Sequence, residues 1–309
     1  MRNRNRNKIL LIGYSNVARK RYINTFIKNK IPFCVASKSF REKIKGAYKH
    51  FNDYNKALYQ SGANIVFLSL PNSMHFYWSK KILKLGFHLI VDKPITTKIG
   101  ELNQLISIAR KKKLLLTEAT FFNYHKQFKS LKKFVGKLNN IEQVFANFTI
   151  PMPGQKTILL SKKLQGGALM DMGSYAAAIN RIFFKENLQQ KEIIIKKNLK
   201  GLIISFDLYI KYETKVFIGT FRFGKEYKNS LTVYTDKGFI EINRVFSPPE
   251  DLELTIAIDK NNKSKTVKIK KDNCFENFFL EVIKNLKEKK FIFYYNRMLK
   301  DESFRLKLI

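Results

Sequence analysis

The chain has 309 residues, of which 45% are hydrophobic and 27% are charged. A chain of this length and composition can bury one or two hydrophobic cores, which excludes fibrous and disordered proteins. Lysine and arginine together number 59 against 24 acidic residues, a formal net charge of +35. The basic residues are spread over nearly every segment instead of forming one patch, so nucleic-acid binding is the less favoured alternative.

The spacing of cysteine and histidine and the first residues of the chain set further limits. Cys34 and Cys274 lie too far apart in the sequence to indicate a disulfide framework. The four histidines show no ligand-like spacing, so we expect no metal. The basic start is followed by a short apolar run, residues 9–12, which cannot serve as a signal sequence or a membrane span. We therefore expect a soluble, cytoplasmic protein.

Short apolar strands alternate with helical segments over residues 1–121. This repetition predicts right-handed crossovers and a doubly wound parallel sheet, the architecture of a nucleotide-binding domain. The pattern predicts strands at 8–12, 32–37, 47–50, 65–69, 88–91 and 114–118, and helices at 17–28, 55–61, 74–85 and 99–111.

The pattern changes after about residue 122 to alternating strands joined by hairpin-length turns. They lie at 141–150, 191–197, 202–212, 215–223, 231–235, 239–243, 252–258 and 266–270. One helix is inserted near residues 166–184, and a helical tail begins at about residue 275. Residues 122–309 are thus predicted to form a second α/β domain with a large, mainly antiparallel open sheet.

A glycine-containing loop, residues 13–18, follows the first strand and opens the first helix. A dinucleotide fingerprint needs a glycine for the tight turn, room for the pyrophosphate at the helix N-terminus and a small residue for packing. Gly13 and Ala18 fit the outer positions, but Ser15 replaces the middle glycine. Its Cβ would crowd the phosphate, although its hydroxyl could donate to it. An ordinary strand-turn-helix is the alternative.

The second predicted strand ends in Ser37-Lys38-Ser39, where a carboxylate would bind a ribose 2′-hydroxyl. A hydroxyl beside a cation suits a 2′-phosphate instead. We therefore predict a preference for NADP(H) over NAD(H).

The fourth predicted strand is followed by Leu70-Pro71-Asn72-Ser73, in which Asn72 or Ser73 is expected to cap the next helix. The second interpretation is that Asn72 contacts the ribose or nicotinamide of the cofactor. His75 lies one turn into the helix, and an isolated histidine there is more often structural than functional.

The fifth predicted strand is buried and ends in Asp92-Lys93-Pro94. Open parallel sheets bind ligands at the carboxyl ends of their strands. Because the proline disfavours a helical conformation at Lys93, the lysine is aimed into a crevice. Lys93 is the first catalytic candidate, and the alternative is one more solvated lysine.

A segment rich in small residues, 166–175, carries Asp171 and Tyr175. If the segment is helical, these two residues share a face. A carboxylate and a phenol on an otherwise apolar helix form a plausible proton-handling pair. The alternative is a buried tyrosine that is hydrogen-bonded to a neighbour.

Taken together, these residues resemble the glucose-fructose oxidoreductase and inositol dehydrogenase family, Gfo/Idh/MocA. The specific part is the Lys93-Pro94 pair combined with the later Gly-Gly-Ala-Leu-Met-Asp block. Asp92 stands where the family usually has glutamate. Tyr175 stands where many members have histidine, as in the branch of glucose-fructose oxidoreductase, dihydrodiol dehydrogenase and nucleotide-sugar ketoreductases. The matching blocks are residues 13–18, 71–75, 86–94, 118–119, 166–175, 237–242 and 246–249.

The resemblance implies a Rossmann domain plus an open-sheet α/β domain that binds substrate. It implies hydride transfer between NADP(H), or NAD(H), and a hydroxyl or keto carbon of a sugar or nucleotide-sugar-like substrate. Lys93 would hydrogen-bond the reacting oxygen, Tyr175 would give or take the proton, and Asp171 would orient the pair. The expected cofactor-binding residues are Gly13, Ser15, Asn16, Val17, Ser37, Lys38, Leu70, Pro71, Asn72, His75, Asp92 and Lys93.

Two expectations concern activity and assembly. Ser15 leaves a catalytically silent sugar-binding or regulatory member of the family as an alternative. The period-2 pattern allows an apolar outer face on the second sheet, so we predict a homodimer or homotetramer formed through it.

Overall fold

The computed structural model describes residues 7–38, 43–155 and 157–308. The chain divides into two compact units, one of Met1–Ala119 with Phe278–Leu299 and one of Thr120–Asn277 with Lys300–Ile309. The prediction had a single boundary after residue 121, with the whole of 122–309 in the second domain.

The first unit is built on a six-stranded parallel sheet. The strand order is β3-β2-β1-β4-β5-β6, the doubly wound order with its switch point between β1 and β4. Strands β1, β2 and β4 are buried along their whole length because helices cover both faces. The strands are β1 (Ile9–Ile12), β2 (Phe33–Ala36), β3 (Lys49–Phe51), β4 (Ile65–Leu68), β5 (His88–Asp92) and β6 (Leu116–Ala119).

Four helices connect these strands, and two more come from the end of the chain. A π-helical turn, Ala18–Tyr22, leads directly into α1. The helices are α1 (Ile23–Lys28), α2 (Tyr54–Gln60), α3 (Asn72–Lys84) and α4 (Ile99–Lys111), with α7 (Cys274–Lys287) and α8 (Ile292–Leu306) later in the chain.

Aromatic packing explains why part of the helical tail belongs to the first unit. The ring of Phe279 in α7 is buried and lies 4.9 Å from Phe26, 5.5 Å from Phe67 and 6.2 Å from Tyr22, measured between centroids. Such edge-on contacts between buried rings add to the free energy of burial. The tail therefore completes the core beneath β1 and β4.

The second unit contains an eight-stranded sheet in the order β14-β13-β12-β11-β7-β10-β9-β8. Only the β7–β10 pair is parallel, and every other pair is antiparallel. The predicted fold class is confirmed. The strands are β7 (Ile141–Pro151), β8 (Leu188–Lys197), β9 (Ile203–Tyr212), β10 (Val216–Gly224), β11 (Lys228–Thr235), β12 (Gly238–Asn243), β13 (Leu254–Lys260) and β14 (Lys263–Ile269).

Two helices of the second unit, α5 (Lys126–Val135) and α6 (Ala168–Phe183), pack on one face of this sheet. Side chains alternate along β10, so that Phe217 and Phe221 enter the core while Ile218 and Thr220 face outward. The sequence did not predict α5, whose apolar residues are few and separated by lysines. Among the described residues, no helix is both long and apolar enough to cross a membrane.

Candidate active site

Gly13 forms the tight turn after β1. Its φ is +99°, and a Cβ added there would lie only 1.9 Å from the carbonyl oxygen of Ser69. Its N–H donates to the carbonyl oxygen of Ala36, at 2.9 Å. No side chain fits between the ends of β1 and β4, so this turn requires a glycine.

Ser15 is held by hydrogen bonds within the first unit. Its Oγ accepts the N–H of Ala18 at 3.0 Å and lies 2.9 Å from Oγ of Ser69. The Ser69 hydroxyl donates to Oδ2 of Asp92 at 2.6 Å. Because the Ser69 proton is committed to Asp92, Ser15 must be the donor to Ser69. The Ser15 hydroxyl thus caps the first helical turn and is turned away from donation to a phosphate.

Asp92 is the end point of this chain of hydrogen bonds. Its other oxygen, Oδ1, accepts the hydroxyl of Tyr22 at 2.8 Å. Burial raises the pKa of Asp92, and the two hydrogen bonds and the charges of His75 and Lys93 oppose that shift. Through its hydrogen bonds to Tyr22 and Ser69, the Asp92 carboxylate connects the ends of β1, β4 and β5.

The backbone that carries Lys93 is fixed on both sides. Asp92 precedes it, and the carbonyl oxygen of Pro94 lies 2.8 Å from Nδ1 of His75. The N–H of Ile95 donates to Oε2 of the buried Glu118 at 2.9 Å. Anchors at residues 92, 94 and 95 hold Lys93, which is half-buried and joined to Pro94 by a cis peptide bond.

His75 is fully buried in α3, and both of its ring nitrogens contact backbone oxygens. Nε2 lies 2.8 Å from the carbonyl oxygen of Leu70, and Nδ1 contacts Pro94. The ring therefore connects the loop after β4 with the loop after β5. Since neither nitrogen is directed to solvent, His75 is placed to position these loops.

The predicted cap of α3 by Asn72 or Ser73 is wrong. The helix begins at Asn72, and the residue before it, Pro71, has an extended backbone with ψ of 147° and no side-chain cap hydrogen bond. Proline fixes its own φ and occupies the capping position, so Asn72 already lies in the first turn. Leu70, Pro71 and Asn72 follow the carboxyl end of β4.

The remaining predicted cofactor residues lie at the same edge of the sheet. Asn16 and Val17 are exposed in the first helical turn, and Oδ1 of Asn16 accepts a hydrogen bond from Arg19 at 2.8 Å. Ser37 is buried directly after β2. The ammonium of Lys38 lies 5.6 Å from the centroid of the Tyr54 ring. Ser39 lies outside the described residues.

Asp171 and Tyr175 belong to the second unit and share one face of α6. Both are half-buried. The Tyr175 ring lies among three phenylalanines, with centroids 5.8 Å from Phe122, 5.4 Å from Phe148 and 5.2 Å from Phe246. These contacts fix the ring plane, and Asp171 in the first turn gains from the helix dipole.

A buried ion pair supports the opposite side of α6. Arg305 is fully buried and pairs with Glu302. Its Cγ and Cδ would lie 3.1 Å from a Cβ added at Gly173, and its Nη1 lies 3.3 Å from the sulfur of Met170. Because residue 173 is a glycine, the side chain of Arg305 can lie directly against α6. The contact is on the helix face opposite to Asp171 and Tyr175.

Three functional positions were missed or undervalued by the sequence reasoning. Tyr22 and Ser69 hold Asp92, and Glu118 holds the backbone after Lys93. Glu118 was noted only as part of a matching block. Among the described residues, no group of three or more His, Cys, Asp or Glu side chains could hold a metal ion.

The class of the first unit follows from this geometry. A glycine turn after β1, a helix N-terminus beside it and polar residues at the ends of β2, β4 and β5 define a dinucleotide-binding domain of the Rossmann type. Residues 8–120 match the model of the oxidoreductase family with an NAD-binding Rossmann fold, Gfo/Idh/MocA. The predicted resemblance to this family is confirmed over residues 8–120, and the description of the family names an NAD-binding Rossmann fold.

Known proteins resemble the chain over most of its length. A dTDP-3,4-didehydro-2,6-dideoxy-alpha-D-glucose 3-reductase of Streptomyces violaceoruber is 24% identical, and the match covers 82% of this chain and 77% of that protein. A D-xylose 1-dehydrogenase (NADP(+)) of Haloferax volcanii is 24% identical, over 68% of this chain and 66% of that protein.

Solved structures share the fold. The 3-ketoreductase KijD10 from Actinomadura kijaniata, in complex with NADP and TDP-benzene, superposes with a TM-score of 0.90 and 20% identity, covering 98% of this chain and 97% of that chain. An aldose-aldose oxidoreductase from Caulobacter crescentus, complexed with glycerol, gives a TM-score of 0.84 at 14% identity, over 98% of this chain and 96% of that chain.

The role of Ser15 can be tested by removing first its hydroxyl and then its Cβ. Ser15→Ala and Ser15→Gly both lose the side-chain cap and the bond to Ser69. Ser15→Ala should lower the free energy of unfolding by about 1–2 kcal/mol, and Ser15→Gly by less, because glycine is tolerated at a capping position. Only Ser15→Gly removes the Cβ near the phosphate, so it alone should bind NADPH more tightly. Urea unfolding and fluorescence titration measure the two quantities. Equal NADPH affinities in both variants would contradict this interpretation of Ser15.

Proposed function

We propose that the chain transfers a hydride between NADP(H) and a hydroxyl or keto carbon of a nucleotide-linked sugar, with ketone reduction as the main direction. The observation that carries the proposal is the anchored Lys93 at the carboxyl end of β5, in the same unit as the glycine turn after β1. Similarity to enzymes named as dTDP-sugar 3-reductases, and to a 3-ketoreductase bound to NADP and TDP-benzene, supports the nucleotide-linked substrate.

The residues at the carboxyl edge of the parallel sheet fit a dinucleotide. The bare backbone at Gly13 and the first-turn N–H groups at Asn16 and Val17 would hold the pyrophosphate. Leu70, Pro71 and Asn72 would line the nicotinamide side. When bound, the cofactor supplies the hydride.

The protein must provide one proton and offset the charge that develops on the substrate oxygen. We assign proton donation to the phenol of Tyr175 and stabilisation of the oxygen to the ammonium of Lys93. Asp171, four residues before Tyr175 on the same helix face, would orient the phenol and a neighbouring substrate hydroxyl.

Lys93→Ala and Tyr175→Phe should each lower kcat about 100-fold or more, because each removes a group that acts on the developing oxygen charge. The affinity for NADPH should stay within about threefold in Tyr175→Phe. The measurement is NADPH oxidation with a panel of dTDP- and UDP-linked keto-sugars, compared with free keto-sugars and polyols.

Matched controls separate catalysis from general effects. Lys98→Ala removes an exposed lysine from the same loop, and Tyr209→Phe removes an exposed phenol from β9. Both should keep near-normal turnover. Near-normal kcat in Lys93→Ala and Tyr175→Phe would refute the assignment of roles. Absence of any nicotinamide cofactor binding would favour the regulatory alternative.

The preference for NADP(H) rests on Ser37 and Lys38 directly after β2, two described positions that hold a hydroxyl and a cation instead of a carboxylate. Lys38→Ala should weaken NADPH binding about tenfold and leave NADH binding unchanged, since only NADPH carries the 2′-phosphate. Fluorescence titration gives both dissociation constants, and Lys56→Ala, on the exposed side of α2, is the control. Equal or tighter binding of NADH by the unaltered protein would contradict this preference.

We also propose that the outer face of the second-unit sheet packs against a second copy of the chain. Phe145 and Tyr234 lie side by side on this face and are 37% and 39% exposed. Buried atoms of Asn147 and Thr149, on the same strand as Phe145, and of Arg222 on the neighbouring β10 have no hydrogen-bond partner among the described residues. An exposed aromatic pair on a sheet face is typical of a surface that contacts another protein copy.

The double variant Phe145→Lys/Tyr234→Lys should be monomeric, because a symmetric contact would bring like charges together. The unaltered chain should sediment as a dimer or tetramer in analytical ultracentrifugation. Tyr59→Lys, which alters an exposed tyrosine of α2, should keep that state. A monomeric unaltered chain, or an unchanged assembly in the double variant, would refute the interface.

A cytoplasmic location remains a proposal. Both cysteines, Cys34 and Cys274, are buried and form no disulfide in the described part of the chain. A reducing compartment suits such thiols.

A further inference from the structure

A cavity in the first unit lies at the opposite edge of the parallel sheet from the dinucleotide residues. It has a volume of about 660 Å³, within the range typical of small-molecule sites. Asn7 precedes β1, Asn64 precedes β4, His88 begins β5 and Lys113 precedes β6, so the cavity follows the amino ends of the strands. Its lining residues are Asn7, Asn64, His88, Lys113, Leu286, Lys287, Lys289 and Phe291.

The charge of this cavity is entirely positive. Lys113, Lys287 and Lys289 line it, and no carboxylate does among the described residues. Among the described residues, none of these three lysines forms a salt bridge with an acidic side chain. The adjacent Glu288 is engaged elsewhere, with Lys290 at 2.6 Å and Lys284 at 4.0 Å. Three unneutralised cations around one cavity attract an anion.

His88 and Asn64 add uncharged hydrogen-bond donors to the lining of the same cavity. The N–H of Leu115 donates to Nδ1 of His88 at 3.0 Å, so Nε2 carries the proton of the neutral ring. Burial lowers the pKa of His88, which favours that neutral form. One amide hydrogen of Asn64 is used by Asn7 at 2.9 Å, and the amide has a second.

An apolar surface completes the cavity. The rings of His88 and Phe291 are 5.9 Å apart, and Leu286 lies beside them in the lining. Helix α8 begins directly after Phe291, with no acidic residue in its first turn. The carbonyl oxygen of Phe291 accepts the N–H groups of Tyr294 at 3.0 Å and Tyr295 at 3.3 Å, so the first turn of α8 holds the Phe291 backbone in place.

The backbone at two of the lysines is unusual for this residue type. Lys113 has φ of +55° and Lys289 has φ of +54°, each just after a helix. Glycine or asparagine is favoured in this conformation, which ends many helices. The left-handed backbone conformation does not favour lysine at either position. The positive charge does interact favourably with the negative, C-terminal ends of the α4 and α7 dipoles.

We propose that this cavity binds a small phosphate-bearing molecule. Its phosphate or diphosphate would be held by Lys113, Lys287 and Lys289, with His88 and Asn64 as neutral donors. A planar or apolar part of the ligand would lie against Phe291 and Leu286. The site is separate from the dinucleotide residues and does not depend on the proposed reaction.

Because Lys113 and Lys289 have a left-handed backbone conformation, both can be replaced by asparagine without destabilising the fold. Lys113→Asn/Lys289→Asn removes two charges at positions where asparagine is at least as well tolerated, so the thermal midpoint should not fall substantially. Calorimetric titration with inorganic pyrophosphate at fixed ionic strength should show binding to the unaltered protein. The variant should bind at least tenfold more weakly at one site, because each charge-assisted hydrogen bond contributes substantially to affinity.

The matched control is Lys30→Asn/Arg244→Asn. Lys30 and Arg244 also have positive φ, at 51° and 56°, and both are exposed and outside the cavity. This control loses the same charge and should bind pyrophosphate as the unaltered protein does. Equal binding in both variants, or no binding to the unaltered protein at millimolar pyrophosphate, would refute the site. Tighter, steeply salt-dependent binding of a DNA duplex, lost in the cavity variant, would show that the ligand is nucleic acid instead.

Discussion

The carboxylate of Asp92 is the group on which the arrangement of the nucleotide-binding edge depends. It accepts hydrogen bonds from Tyr22, which follows β1, and from Ser69, which follows β4. A buried carboxylate without such donors would cost several kcal/mol, so loops from three different strands are held in one arrangement. Lys93 is the next residue in the chain, and the same hydrogen bonds therefore set the point from which its side chain leaves the sheet.

Local signals predicted much of this edge. Gly13 could be identified because a glycine between an apolar strand and a helix has few other uses, and the turn proved to exclude any side chain. The strand before Lys93 could be predicted because a strand that is buried on both faces forms a continuous apolar run in the sequence. The effect of Ser15 was not predictable, since its partners are Ser69, 54 positions away, and the N–H of Ala18.

Long-range pairing explains the features that the sequence did not reveal. Nothing near Tyr22 indicates that its hydroxyl reaches Asp92, and nothing in the helical tail indicates that Phe279 packs beside Phe26. The parallel pairing of β7 with β10 is likewise hidden, because period-2 alternation reports a buried face and not the direction of a neighbour. The roles of Lys93, Asp171 and Tyr175 remain predictions for the same reason, since local spacing does not specify chemistry.

The return of residues 278–299 to the first unit has a consequence for biosynthesis. During translation, the parallel sheet leaves the ribosome long before the helices that cover Phe26 and Phe67 have been made. A nascent chain of some two hundred residues would hold an incomplete apolar core in the meantime, the kind of surface that chaperones protect. A truncation that removes residues 278–299 should therefore harm the beginning of the protein as much as its end.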